Sequence, residues 1–201
     1  SQVTSGSGWH VSGSAIVVDT AGAVLENVTT NLSIEVQANN VTVRNVRSSA
    51  SGETWAIALR HASGAVISNV EILPPSSATR LMVGIKDVYG DAKSTQVLRS
   101  EITRTSTGVQ MGGGLIEGNY IHDMGLVSGD HINGVTSNGS TTQLTIRNNT
   151  ILNQFSQTDA ISFFQDFGVE ANSTVSGNLI AGGGYTLYGG EGTHGQTSNI
   201  V

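Results

Sequence analysis

The chain has no cysteine and only two prolines among its 201 residues. Without thiols there is no disulfide, no thiolate nucleophile and no cysteine–zinc centre. So little proline excludes a proline-rich linker or a collagen. Charged residues make up 12% and aromatics 5%; few charges and few long helix formers argue against a helical bundle. No run of 18 apolar residues is present, so no membrane-spanning helix is expected. The net charge of −6 and the lack of a basic cluster exclude a nucleic-acid binder. No HExxH, GxSxG or phosphate-loop pattern occurs. No signal pattern opens the chain, and Ser1-Gln2-Val3-Thr4 reads as a mature start. What is abundant is glycine, 26 residues, together with Ser, Thr and Asn around regularly spaced Val, Ile and Leu. Low charge with such spacing argues for order. The polar, cysteine-free surface points to a secreted, extracellular protein. N-x-S/T sequons at Asn27, Asn31, Asn40, Asn138, Asn148 and Asn172 are what a chain rich in these residues holds by chance.

The spacing is a repeat. A small residue followed by an apolar one recurs as Ala58-Leu59, Gly84-Ile85, Gly108-Val109, Gly134-Val135, Ala160-Ile161 and Thr186-Leu187, at steps of 26, 24, 26, 26 and 26. Between these pairs runs a second signature, two apolar residues with four others between them: Ile67 and Ile72, Val97 and Ile102, Ile116 and Ile121, Ile146 and Ile151, Val175 and Ile180. Within it Asn119, Asn149 and Asn178 hold one place, taken earlier by Ser100. Helical spacing is nowhere sustained, and short β-branched runs are split by Gly, Asn and Ser turns. One such unit cannot bury its apolar row, whereas stacked units bury a continuous column. The spacing therefore predicts an all-β solenoid, a single-stranded parallel β-helix of about seven coils, as one domain over residues 1–201. Equivalent residues would stand roughly 4.8 Å apart, and the recurring Asn would form an inward amide ladder that satisfies buried polar groups. Residues 1–13 read as a cap or lead-in. Ser198-Asn199-Ile200-Val201 reads as the start of a further strand, so more coils after 201, or another subunit, are expected to cover that end.

The coil length and the V-x-x-N-x-I ladder resemble the right-handed parallel β-helix, or pectate-lyase-like, superfamily. The segment around residues 121–151 also resembles secreted actinobacterial β-helix-repeat proteins with an H-x-D-G-V-Q motif. It reads here His131-Ile132-Asn133-Gly134-Val135-Thr136, with Asn in place of Asp and Thr in place of Gln. The resemblance implies a site along one outward sheet face and the loops beside it.

On that face the residue after each small–apolar pair forms a row: Arg60, Lys86, Gln110, Thr136, Ser162 and Tyr188. The small residues before it, Ala58, Gly84, Gly108, Gly134, Ala160 and Thr186, read as a bare outward shelf on which a flat polymer would lie; they read equally as relief of crowding at a turn. A sugar unit extends about 5 Å, close to the coil rise. Arg60 and Lys86 read as neighbours in the row, with Arg80, Arg99 and Arg104 nearby. Such a cationic strip would hold a uronate carboxylate; surface pairing with Glu53, Asp87 and Asp91 is the plain alternative. The densest titratable cluster is His122-Asp123 with Asp130-His131. A histidine oriented by a carboxylate is a general base, and the same groups are a candidate divalent-ion site, calcium being the ion considered; turn-capping is the structural alternative. Asp159 stands one coil beyond Asn133, as one of a carboxylate pair or as part of a polar inner stack with Thr107 and Asn133. Phe163, Phe164, Phe167, Tyr185 and Tyr188 would offer stacking surfaces or join the core.

These readings suggest a polysaccharide lyase of uronate-containing glycans. Arg60 or Lys86 would neutralise the carboxylate, His131 would remove the proton, and Tyr188 would protonate the leaving oxygen. Two alternatives remain: a glycoside hydrolase using Asp130 and Asp159, and a non-catalytic glycan-binding or adhesive solenoid.

Overall fold

The computed structural model describes residues 5–190, residue 194, and the backbone of 198–200. Among the described residues there is no helix; parallel strands stack coil upon coil into a β-solenoid of about six turns. One sheet has 10 strands and the other 12. The first sheet runs through Ala15–Val18, Ser33–Val36, Gly52–Leu59, Leu81–Asp87, Thr105–Gln110, Asn133–Ser137, Asp159–Phe163 and Tyr185–Tyr188. The second starts with single strands, Val24–Thr30, Thr42–Ser48 and Val66–Ile72, and thereafter each coil supplies two shorter ones.

The two apolar places read from the sequence are two straight columns of the second sheet. Leu25, Val43, Ile67, Val97, Ile116, Ile146 and Val175 pair in succession, as do Ile72, Ile102, Ile121, Ile151 and Ile180. All but Ile180 are buried. Between the columns the chain turns a corner on a left-handed residue: Asn27, Asn45, Asn69, Arg99, Gly118, Asn148 and Gly177 all have φ between 46° and 69°. Asn and Gly predominate because they tolerate this region best.

The residue after the corner is Val in the first three coils, then Ser100, then Asn119, Asn149 and Asn178. The amide ladder is formed. Asn119 Nδ2 donates to Asn149 Oδ1 at 2.9 Å and to the Val97 carbonyl at 2.9 Å. Asn149 Nδ2 lies 2.9 Å from both Asn178 Oδ1 and the Ile116 carbonyl. Each Oδ1 also accepts the backbone N–H of the ladder residue one coil before. One side chain thus closes the corner in its own coil and ties two coils together.

The first sheet corrects two sequence expectations. From Ile85 on, the register is the expected one, through Val109, Val135, Ile161 and Leu187. The preceding coil, however, pairs Ile57 with Ile85 and Ala58 with Lys86. That coil is two residues longer, and it carries Pro74 and Pro75 and a register irregularity between Gly52 and Trp55. Arg60 therefore leaves the row that holds Lys86. The second correction concerns the small residues: Gly84, Gly108, Gly134 and Ala160 face the core and form no outward shelf. A Cβ on Gly108 would stand 2.8 Å from Ile121 Cγ2, and one on Gly134 would collide with Ile151 Cγ2 and stand 2.5 Å from the Ala160 carbonyl oxygen. Small residues here let the two sheets close on each other.

The lead-in, as far as it is described, is antiparallel: Ser5–Gly6 pairs with Trp9–Ser12, which pairs with Ala15–Val18. Residues 1–4 lie outside the described residues. Ser198–Ile200 pairs in parallel with Ala171–Ser176; the coils or subunit expected to cover that end lie outside the described residues.

Two substitutions test this packing. Asn149→Ala strands the Asn119 N–H groups and the Ile116 carbonyl, and should cost roughly 3 kcal/mol in urea unfolding. Gly134→Ala should destabilise by about 1–3 kcal/mol through overpacking, whereas Gly129→Ala, whose Cβ meets nothing within 4 Å, should suffer only its backbone strain.

Candidate functional site

In the first sheet each of the later strands places two residues inward in succession, a small one and then Ile or Val, and the residues on either side face out. Two outward columns result. One is Thr107, Asn133, Asp159 and Tyr185; the other is Lys86, Gln110, Thr136, Ser162 and Tyr188. Because the strand bends between them, the columns converge: the Ser162 hydroxyl lies 3.2 Å from Asn133 Oδ1 and 3.0 Å from Thr136 Oγ1. Thr107, Gln110, Asn133 and Thr136 form the floor of a depression of about 220 Å³, rimmed by His131, Asn138, Phe164 and Asp166. Through Gln110 and Asn138 it opens into a larger groove of about 690 Å³ along the turns after the strands, where Lys86, Tyr89, Met111 and Phe167 lie.

His131 is exposed at the rim. Asp159 is only 1% exposed, and its Oδ1 has no hydrogen-bond partner among the described residues. Burial pushes its carboxyl up to about 6, and the charge of His131 acts in the opposite direction. Asp159 thus stands in the polar outward column with Thr107 and Asn133, and it is electrostatically coupled to His131. The two residues belong to neighbouring coils.

Asp130, next to His131 in sequence, is committed elsewhere. Arg80 Nε and Nη2 hold its two oxygens at 2.8 and 3.0 Å, and the Ser106 hydroxyl and Val127 N–H bond to Oδ2 at 2.5 and 3.0 Å. The Arg80 guanidinium, itself buried, and these donors bring the carboxyl down to about 2. This pair staples the loop that leads to His131 onto two earlier coils. His122 lies on the other sheet, stacked on Tyr120 at 3.6 Å, with Asp123 at 2.9 Å and Glu101 at 3.2 Å from its ring nitrogens. The two histidine–aspartate dipeptides are therefore not one cluster. Among the described residues no three His, Asp or Glu side chains converge as metal ligands.

Arg60 is paired with Glu35, which also accepts the Trp55 Nε1–H at 2.8 Å. Lys86 has no carboxylate partner among the described residues; its Nζ lies 5.6 Å from the Trp55 ring centroid, facing the groove. Tyr188 ends the second column, 5.2 Å from Phe164 between ring centroids. It stands two coils beyond Thr136, roughly 10 Å along the axis.

The sequence reading missed Glu170. This buried carboxylate binds the Ser137 hydroxyl at 2.7 Å and the Gly139 and Ser140 N–H groups at 3.1 and 3.0 Å, so it fixes the turn that carries Asn138. Asp87 does the same for the turn that carries Tyr89, accepting from Gly90 and Ala92 N–H at 3.0 and 3.1 Å. Burial pushes both carboxyls upward. A lone acid in a Gly-rich turn was their only trace in the sequence. No family model, curated protein or solved structure matches this chain.

The buried Asp159 has a signature in pH. Below about pH 4 the carboxyl is protonated in folded and unfolded chains alike. Between about pH 4 and about pH 6 the unfolded chain gives up this proton while the folded chain keeps it, so folding loses stability as pH rises. Asp159→Asn removes this loss, and its Tm relative to the wild type should be higher at pH 7 than at pH 4.

Proposed function

We propose that this solenoid is an extracellular carbohydrate-active protein of the pectate-lyase-like kind, and that it cleaves a uronate-containing polysaccharide by β-elimination. The observation that carries this reading is exposed His131 on the rim of a polar depression with Phe164, beside the column that holds buried Asp159. In the reaction the His131 imidazole takes the proton on the carbon next to the uronate carboxylate. The electron pair forms the C4–C5 double bond, and the C4–O bond to the next sugar breaks. Asp159, once ionised, favours the imidazolium that forms. The leaving oxygen takes its proton from water in the open groove, since Tyr188 stands two coils away. Lys86 is two coils from Thr136 in the other direction, so it serves the carboxylate of a neighbouring sugar. Arg60 and Asp130 take structural roles.

One observation favours a second reading. The Asp159 carboxyl, pushed by burial up to about 6, suits a general acid for glycoside hydrolysis, with Asp166 on the rim of the neighbouring depression.

The test is incubation with a panel of uronans. The ultraviolet absorbance of an unsaturated uronate should appear, and His131→Ala should lower its rate by roughly 100-fold or more. Full activity in that variant would overturn the assignment of the base. Reducing ends released without absorbance would establish hydrolysis. Binding without turnover would make the solenoid a glycan-binding module.

A further inference from the structure

The larger groove holds features that the chemistry at His131 does not use. Tyr89 is 53% exposed and Phe167 is 82% exposed. Both line this groove, on turns just after the strands Leu81–Asp87 and Asp159–Phe163. These strands are three coils apart in the register through Ile85, Val109, Val135 and Ile161, which is roughly 14 Å. The wall is polar: Lys86 and Asp87 stand in the coil of Tyr89, and Gln110, Asn138 and Ser140 follow toward Phe167.

The Tyr89 ring and the backbone of Phe167 are held in place before anything binds. Tyr89 stacks on His61 at 3.9 Å with an interplanar angle of 5°, which leaves its other face open, and its hydroxyl lies 3.4 Å from Arg60 Nη1. Its turn is tied down by Asp87. Phe167 donates its N–H to the Asn138 carbonyl at 3.1 Å, on the turn that Glu170 fixes. Aromatic faces left in water on turns fixed in advance suit the flat apolar faces of sugar rings. The separation of three coils matches about three sugar units at roughly 5 Å each. Lys86 gives this stretch a positive charge in a protein of net charge −6.

We propose that Tyr89 and Phe167 bracket a second subsite, separate from the depression at His131, that grips an acidic oligosaccharide stretch of about three units. The inference rests on the glycan reading above and extends it: the protein selects long acidic chains and binds short ones poorly. One face of Tyr89 and one face of Phe167 take the outer rings, and Lys86 takes a carboxylate between them. A chain long enough to fill both this groove and the depression gains contacts that a disaccharide cannot reach.

Calorimetric titration with uronate oligomers of two to six units tests this without any need for turnover. For the wild type, affinity should rise at least tenfold from the shortest to the longest oligomer. Tyr89→Ala and Phe167→Ala remove exposed rings, so an unchanged Tm checks that each variant stays folded. Each should lose about five- to tenfold of the gain with length and keep the affinity for the dimer. Lys86→Met should erase the preference over neutral oligomers of equal length. Wild-type affinity independent of length, or variants that keep the full gain, would overturn the subsite and leave the chemistry at His131 standing. Length-dependent binding without any elimination would support the subsite and overturn the lyase reading. No binding of any uronate oligomer would overturn both.

Discussion

Everything in this molecule depends on the parallel backbone ladder that sets one coil upon the next. Hydrogen bonds between coils place residues about two dozen positions apart as vertical neighbours. An apolar side chain then packs on its counterparts above and below, and a polar one finds an equivalent partner in the same way. The Asn ladder is this rule in polar form. Asn119 and Asn149 are buried, and each is satisfied because the next coil brings an identical group to the same height.

The same rule decided what could be read from the letters. Columns of Ile and Val, and the Asn at one place between them, are legible because the two apolar places stay five residues apart in every coil from Ile67 on, although the step from coil to coil runs from 19 to 30 residues. Where a coil of the first sheet changed length, legibility failed. Arg60 was read as a neighbour of Lys86, but two additional residues in the coil with Pro74 and Pro75 slide it out of line. Direction was harder to read than register. The Gly and Ala row lies in strands whose simple alternation points it outward, yet a bend turns two successive residues inward.

The site was legible only in part. His131 and Asn133 border one polar depression, and Asp159 stands one coil beyond Asn133, as the register predicts. The partners of Asp130 were not foreseeable, because Arg80 is 50 residues away and reaches it across two coils. Electrostatics separates the carboxylates by task. Asp130 is held ionised by a guanidinium, while Asp87 and Glu170 spend their oxygens on turn N–H groups. Asp159 alone among these has an oxygen with no partner among the described residues. A buried carboxyl left in that condition costs stability, and such costs collect where a molecule acts.

The corner on a left-handed residue, repeated in seven successive coils, bears on how such a chain can grow. A gene segment duplicated in whole periods delivers its own Asn or Gly to the corner and its own ladder amide behind it, so the new coil slots in without disturbing those on either side. A duplication out of phase would put a β-branched residue where φ must be positive and would be lost to misfolding. Length is therefore inherited in steps of one coil, and each step adds about 5 Å to the groove.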